Sequence, residues 1–311
     1  MRCHRRVSDE GADDGRVARA LRRAAVAATK ASSVHHSQPW RFVIDGNSLL
    51  IYADPARQLR TLDPHGRQLM ISLGCALFNA RVAVAASGLA GKIERFPDTG
   101  SPKLIARIDV DTVPYHDDDE FVVMLAPAIE ACAISRRVVL DEPIPPLLIE
   151  VIIDAAAREG AALDRVRSLD ERLSLARLTQ LADELEIADP TCRAELRAWA
   201  IEDLEDARSV RPADDPATTH EFVAILGAAE DTPTSWLRTG EAMQRVLLEL
   251  TRAGYTASPK TSLIEVARTN VLLRQELKLT THPLVLLRIG RATATPPTRR
   301  RRLVEVISEA G

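Results

Sequence analysis

Cysteine is scarce. Cys3, Cys75, Cys132 and Cys192 stand far apart with no CxxC pair. That spacing excludes an evident zinc site or disulfide framework and points to a reducing cytoplasm. Lysine supplies only 5 of the 41 basic residues, which reads as genome composition and not as function. An excess of one charge is also missing. The 41 basic residues face 44 acidic ones, for a net charge of -3. This argues against a surface built to hold nucleic acid or anionic membrane. No apolar run approaches about 18 residues, so the sequence predicts no membrane-spanning helix. The stretch from Met1 to Arg23 lacks the apolar core of a secretory signal. GxGxxG, GxxxxGK[ST], GxSxG and HExxH are all absent, which removes the common nucleotide, hydrolase and zinc signatures. The seven histidines show no metal spacing except the adjacent His35-His36, and neighbours on a loop rarely converge on one ion.

What remains is an ordinary globular composition: 311 residues, 46% hydrophobic and 27% charged. The length suits one or two domains. Residues 1–14 read as a disordered leader, with mixed charge and almost nothing apolar. Val17, Ala20, Leu21, Ala24, Ala25 and Ala28 then recur at helical spacing. Trp40 to Ile44, an Asp45-Gly46-Asn47 turn and Ser48 to Tyr52 predict a β-hairpin. Asp63-Pro64 reads as the start of a helix reaching about Ala86, apolar on most faces and therefore central. Lys92 to Pro97 and Leu104 to Val110 read as strands. A second half begins near residue 119. Its expected helices are 121–132, 143–159, 170–187, 190–202, 233–253 and 262–277. Its expected strands are 163–167, 222–226 and an apolar, internal 284–289. Residues 207–219 read as a loop, and 303–307 as a last helical turn.

Two of these helices resemble each other. LGCALFNARVAVAASGLAG from Leu73 aligns with TGEAMQRVLLELTRAGYTA from Thr239 at an offset of 166 residues. Gly74 and Gly240 open the matching stretches, and Gly88 and Gly254 close them. Two readings are open. These are either unrelated buried helices ending at a C-terminal glycine, or a duplication in which two α+β halves mimic a homodimer.

The segment Ser32-Ser33-Val34-His35-His36-Ser37-Gln38-Pro39-Trp40-Arg41-Phe42 lies between a helix and a strand. It offers hydroxyls, imidazoles, an amide and backbone N–H groups, enough to hydrogen-bond a heteroaromatic ring. It also reads as a polar loop anchored by Trp40.

SSVHHSQPWRF is similar to the PSSxNxQPW segment of FMN-dependent nitroreductases. It is closer still to the APSxHNSQPWRW form of a tandem-duplicated, actinobacterial, dormancy-associated branch. YADPARQLRTLDPHGRQLMISLGCAL, from Tyr52 to Leu77, resembles that branch's YAD..R.L..TDP.GRE.L.S.GAAL. WLRTGEAM from Trp236 resembles its LLR.GE.L. LLRIG from Leu286, then Arg300-Arg301 and Glu305-Val306, resembles its LVRVG…PRRP..EV ending.

The resemblance implies an α+β nitroreductase-like fold of two tandem halves, 15–118 and 119–311. Each half would hold an antiparallel-type sheet flanked by helices. One FMN would lie between the halves. Ser33, His36 and Gln38 fall on loop positions expected near the isoalloxazine and ribityl groups. Ser135 and Arg137 fall on the RRTxR element, and Arg300 and Arg301 on the tail expected near the phosphate. Ala133-Ile134 replace the two leading arginines of RRTxR. The lid region, about 203–220, is shorter than in the branch. The implied activity is NAD(P)H-dependent reduction of nitroaromatics or quinones, with NADH or NADPH as reductant and a small-molecule electron acceptor. No dedicated catalytic side chain is required, because flavin carries the chemistry. Flavin storage without turnover and a flavin-free scaffold remain alternatives. The expected state is a cytoplasmic monomer mimicking a dimer, or a homodimer, without metal, nucleic acid or membrane.

Overall fold

The computed structural model describes residues 4–114, 120–132, 143–199, 222–291 and 300–310. Helix α1, His4–Ala28, leads to strands β1, Trp40–Asp45, and β2, Ser48–Ala53. Helix α2, Arg67–Ala86, is followed by β3, Leu89–Arg95, and β4, Leu104–Pro114. A 3-10 segment, Glu120–Leu125, runs into α3, Ala126–Ala131. Next come α4, Pro146–Arg158, β5, Ala162–Val166, α5, Leu169–Ala188, and α6, Pro190–Trp199. Strand β6, Phe222–Ala228, precedes α7, Pro233–Arg252, and β7, Thr256–Lys260. The chain finishes with α8, Ser262–Glu265, α9, Ala267–Glu276, β8, His282–Gly290, α10, Leu303–Val306, and β9, Ile307–Glu309.

The described residues build two sheets, in the orders β3-β4-β2-β1-β9 and β5-β6-β8-β7. Every pairing is antiparallel except β1 with β9. Read from the other edge, the second sheet runs β7-β8-β6-β5, so both halves wind their strands in the same order. The halves differ in their inserts. Gly46-Asn47 closes the first hairpin, with Gly46 in the left-handed region at φ 54°. Between β5 and β6 stand α5 and α6 instead.

Helices α2 and α7 cross at the centre of the molecule, and the crossing is unusually close. A Cβ on Gly74 would stand 2.0 Å from the Leu237 carbonyl oxygen. A Cβ on Gly240 would stand 2.0 Å from the Ile71 carbonyl oxygen. The contact is therefore reciprocal: positions 71 and 74 meet 240 and 237 with the same offset of 166. Gly74 and Gly240 lie inside their helices. Their role is to let two backbones touch. Gly88 and Gly254 do follow the helix ends, at φ 71° and 75°. The apolar faces of α2 explain its composition, since nearly all of it is buried in the core.

Two further expectations are corrected, and contacts span the expected division of the chain. Residues 4–14, expected as a disordered leader, continue α1, because extending a formed helix costs far less than starting one. The helix expected from Asp63-Pro64 starts at Arg67. Asp63 forms a turn and caps it from a distance, its carboxylate accepting the Leu69 N–H at 2.9 Å. The boundary expected at 118/119 is crossed at both ends. Val122, Leu125, Ala128 and Ile129 pack on Phe78 and Val82 of α2, and β9 joins the first sheet.

Candidate functional site

The 32–38 loop leaves the end of α1 and is pinned to both central helices. The Ser32 N–H donates to Gln244 Oε1 of α7 at 3.2 Å. The Val34 N–H donates to Ser72 Oγ of α2 at 3.1 Å. Inside the loop, Ser33 Oγ accepts the Gln38 N–H at 3.1 Å. His35, His36 and Gln38 all adopt positive φ, 43°, 55° and 47°. Three consecutive or near-consecutive left-handed residues without glycine store strain that the surrounding bonds must offset.

The tail arginines close on this loop. Arg300 donates to the Ala31 and Lys30 carbonyls, each at 2.9 Å, at the C-terminal end of α1. Arg301 donates its backbone N–H to Gln38 Oε1 at 3.0 Å. Its guanidinium donates to the Gln38 carbonyl at 3.1 Å and the Trp40 carbonyl at 3.3 Å. Arg57 donates to the Ser37 carbonyl and stacks over the Trp199 ring at 5.0 Å. Burial lowers the pKa of both Arg300 and Arg57, and Arg301 lowers Arg57 further. Asp54 is the neighbouring counter-charge, 3.7 Å from Arg301 and 3.6 Å from Arg41.

Of the residues singled out from the sequence, Ser33, Gln38, Arg300 and Arg301 come together here, with His36 on the same loop. Ser135 and Arg137 lie outside the described residues, as do Ala133-Ile134 and the region 203–220. Sequence reasoning missed Gln244, Ser72 and Arg57. Arg57 lies in the YADPAR stretch that was matched only as a motif. Gln244 lies in the repeated helix, at the position where its counterpart is Phe78.

The loop fits an oxygen-rich anion. Ser37 Oγ, Trp40 Nε1 and Gln244 Nε2 are buried donors without a partner among the described residues. Such groups need a reason in a folded chain. Each guanidinium has five N–H donors, so Arg300 and Arg301 retain donors beyond those given to carbonyls. Among the described residues, nothing comparable occurs at the matching corner of the second half. There only Glu159, Gly160 and Ala161 separate α4 from β5. Glu159 is bound by Arg245 at 2.9 Å and by Arg81 at 2.6 Å.

A separate cleft of about 760 Å³ opens between residues 62–68 of the first half and α9 with the start of β8. Glu265 stands in its wall, its pKa pushed up to about 8 by burial and then by the Glu186, Asp63 and Glu195 carboxylates. A carboxyl raised in the folded state stabilises the fold below its ordinary pKa, and that contribution is lost as pH rises through about 8. Glu265→Gln is therefore expected to lie nearest the wild type in thermal melts at about pH 4.5 and to exceed it most at about pH 9. An equal difference at both pH values would refute this.

No family model matches the chain. The Mycobacterium tuberculosis protein named "Putative NAD(P)H nitroreductase Rv3131" is 33% identical, over 90% of this chain and 88% of its own. "Putative NAD(P)H nitroreductase acg" of the same organism is 26% identical, over 90% and 92% respectively. Among solved structures, the FMN-dependent nitroreductase NfnB from Mycobacterium smegmatis in complex with NADPH is 20% identical. It covers 54% of this chain and 89% of its own, with a TM-score of 0.37. With a third of its residues shared across nearly the whole length of a relative, the chain belongs to the nitroreductase family of these mycobacterial proteins.

Proposed function

We propose that the chain binds one FMN between its two halves and uses NADH or NADPH to reduce a nitroaromatic or quinone acceptor. The observation that carries this reading is the convergence of Arg300, Arg301 and Arg57 on a strained, donor-rich loop that, among the described residues, only one half possesses. Ser33, His36, Gln38 and Gln244 would face the ring and ribityl chain, and Arg300 and Arg301 the phosphate, joined by Ser135 and Arg137. A phosphate carries nearly two negative charges, and guanidinium donors meet it with charge-assisted bonds. When bound, flavin supplies the hydride chemistry, so the chain needs to bind, orient and shield it. The shared strand order and the reciprocal Gly74–Gly240 contact support a duplicated chain that mimics a dimer. The single loop supports one flavin and not two. The sparse cysteine supports a cytoplasmic setting.

The test is the absorbance spectrum of the purified protein with an FMN titration. The expected result is oxidised-flavin bands and a stoichiometry near one per chain. Arg301→Ala is expected to weaken FMN by about tenfold or more, since one charge-assisted bond contributes about 1.5–3 kcal/mol. A colourless protein that ignores added FMN overturns the reading.

Storage without turnover is the second reading. It is favoured by the fastening of α6 against the segment after the loop. Glu195 accepts the Thr61 and Leu62 N–H groups at 3.0 and 2.9 Å, and Trp199 covers Arg57. Oxidation of NADPH driven by a soluble quinone separates the two: turnover supports the reductase, and its absence in the flavin-loaded protein supports storage.

A further inference from the structure

We propose that the 760 Å³ cleft is a second binding site, for a small anion that carries a phosphate or carboxylate on an apolar body. It goes beyond the flavin reading and does not depend on it. The charges around the cleft decide what it can hold. Three carboxyl groups stand in its wall, and each is either engaged or disfavoured as an anion. Asp63 is buried and caps α2 through the Leu69 N–H. Asp231 holds Arg67 at 2.9 Å and accepts the Trp236 indole N–H at 2.6 Å. Burial, then the nearby Glu186, Asp63 and Glu195 carboxylates, push the Glu265 pKa up to about 8 and disfavour its charge.

The cations on the other side are not neutralised in the same way. Arg274 rises from α9 toward the cleft and touches the His282 imidazole at 3.5 Å, with no carboxylate partner among the described residues. Lys278 follows the helix end, in the left-handed region at φ 50°, and lines the same cleft. Arg274 and Lys278 stand four residues apart and concentrate positive charge on one side of the cavity.

Leu62, Val271 and Leu279 supply apolar wall, and Gln68 and Asn270 supply amides. A concave site with apolar walls, a few polar groups and an unneutralised pair of cations selects an anionic head on an apolar body. The cleft also neighbours the loop. Gln68 and Ser72 share one face of α2, about 6 Å apart along the axis, and the Ser72 hydroxyl donates to the Gln68 carbonyl at 2.7 Å.

Two sources share this chemistry, nucleotide phosphates and organic carboxylates, and the experiment separates them. AMP and benzoate are titrated calorimetrically into the full chain, with adenosine and benzamide as uncharged counterparts. The expected result is a dissociation constant of about 0.1–1 mM for at least one anion, with its uncharged counterpart weaker by about tenfold or more. AMP alone binding identifies a phosphate site, and benzoate alone a carboxylate site. Arg274→Glu with Lys278→Glu is expected to abolish binding, and Lys103→Glu, an exposed charge far along the chain, to leave it unchanged. If the double reversal loses its near-UV dichroism, Arg274→Gln with Lys278→Gln carries the same test. Saturating FMN is expected to leave the affinity unaltered. Absence of binding by both anions, binding that survives the charge reversal, or competition with FMN each overturns the proposal.

Discussion

Gly240→Ala is expected to lower the melting temperature by about 10 °C, a loss of about 3–5 kcal/mol. The methyl group would sit 2.0 Å from the Ile71 carbonyl oxygen and near the Gly74 backbone. Ordinary contact needs well over 3 Å, and the obstacle is backbone, which cannot turn aside like a side chain. Helices α2 and α7 would have to separate by more than an ångström, along a seam packed by both halves. Gly74→Ala is expected to cost as much, because its methyl meets Leu237 in the mirror arrangement. The double variant should then cost clearly less than the sum, since helices parted by one methyl have room for the other. Gly15→Ala is the control. It lies in α1, near only a flexible Arg19 side chain, and should leave stability equal or slightly raised. Thermal unfolding followed by circular dichroism decides the matter. A loss below about 2 °C for Gly240→Ala would show that the helices can part cheaply.

The repeat in the sequence pointed to these helices, and its offset proved to describe their contact. Its glycines were legible as markers and not as a crossing point. A sequence shows that glycine is present, whereas the need for it arises from a backbone 166 residues away. The same limit explains the other misses. The helix expected over 262–277 breaks at Val266 because Thr269 and Asn270 bond the Leu263, Val266 and Ile264 carbonyls, offering the backbone an alternative to the helix. Strand β7, Thr256–Lys260, contains Pro259 and lacks alternation, and it survives because it lies at a sheet edge. Strand β9 is three residues long and exists only through its parallel partner β1.

The candidate site was legible where it is local. The polar run from Ser32 to Gln38 reads directly as a loop. That Arg300 and Arg301 return to it across some 260 residues follows from family resemblance and not from spacing. Gln244 and Ser72 could not be read at all, because each is one of several polar residues on its helix and nothing in the sequence singles it out. Their meaning lies in the loop backbone that they hold.

Glu241→Ala is expected to cost about 3–5 kcal/mol, because it removes a buried carboxylate from two partly buried cations. Glu241 is 0% exposed on α7. It binds Arg81 at 2.6 Å and Arg95 at 2.7 Å. Arg81 continues to Glu159, and Glu159 to Arg245. Burial opposes the Arg81 charge, and the Glu241 and Glu159 carboxylates overcome it, so the Arg81 pKa is raised. Removing Glu241 leaves Arg95 without its carboxylate and Arg81 with half of its pair. Adding Arg95→Met to Glu241→Ala should recover part of the loss, since an apolar group needs no counter-charge; additive costs would show that the pair contributes little. The network occupies the corner of the second half that corresponds to the 32–38 loop of the first. Arg245 stands 166 positions after Asn79, which ties the end of α1 through the Ala27 carbonyl at 3.1 Å. Where one half keeps the 32–38 loop, the other closes the corner with ions. Glu241→Ala, studied at a temperature where it stays folded, should therefore bind FMN with the stoichiometry and affinity of the wild type. A second flavin entering the weakened corner would show that the ion network had been holding a latent site shut.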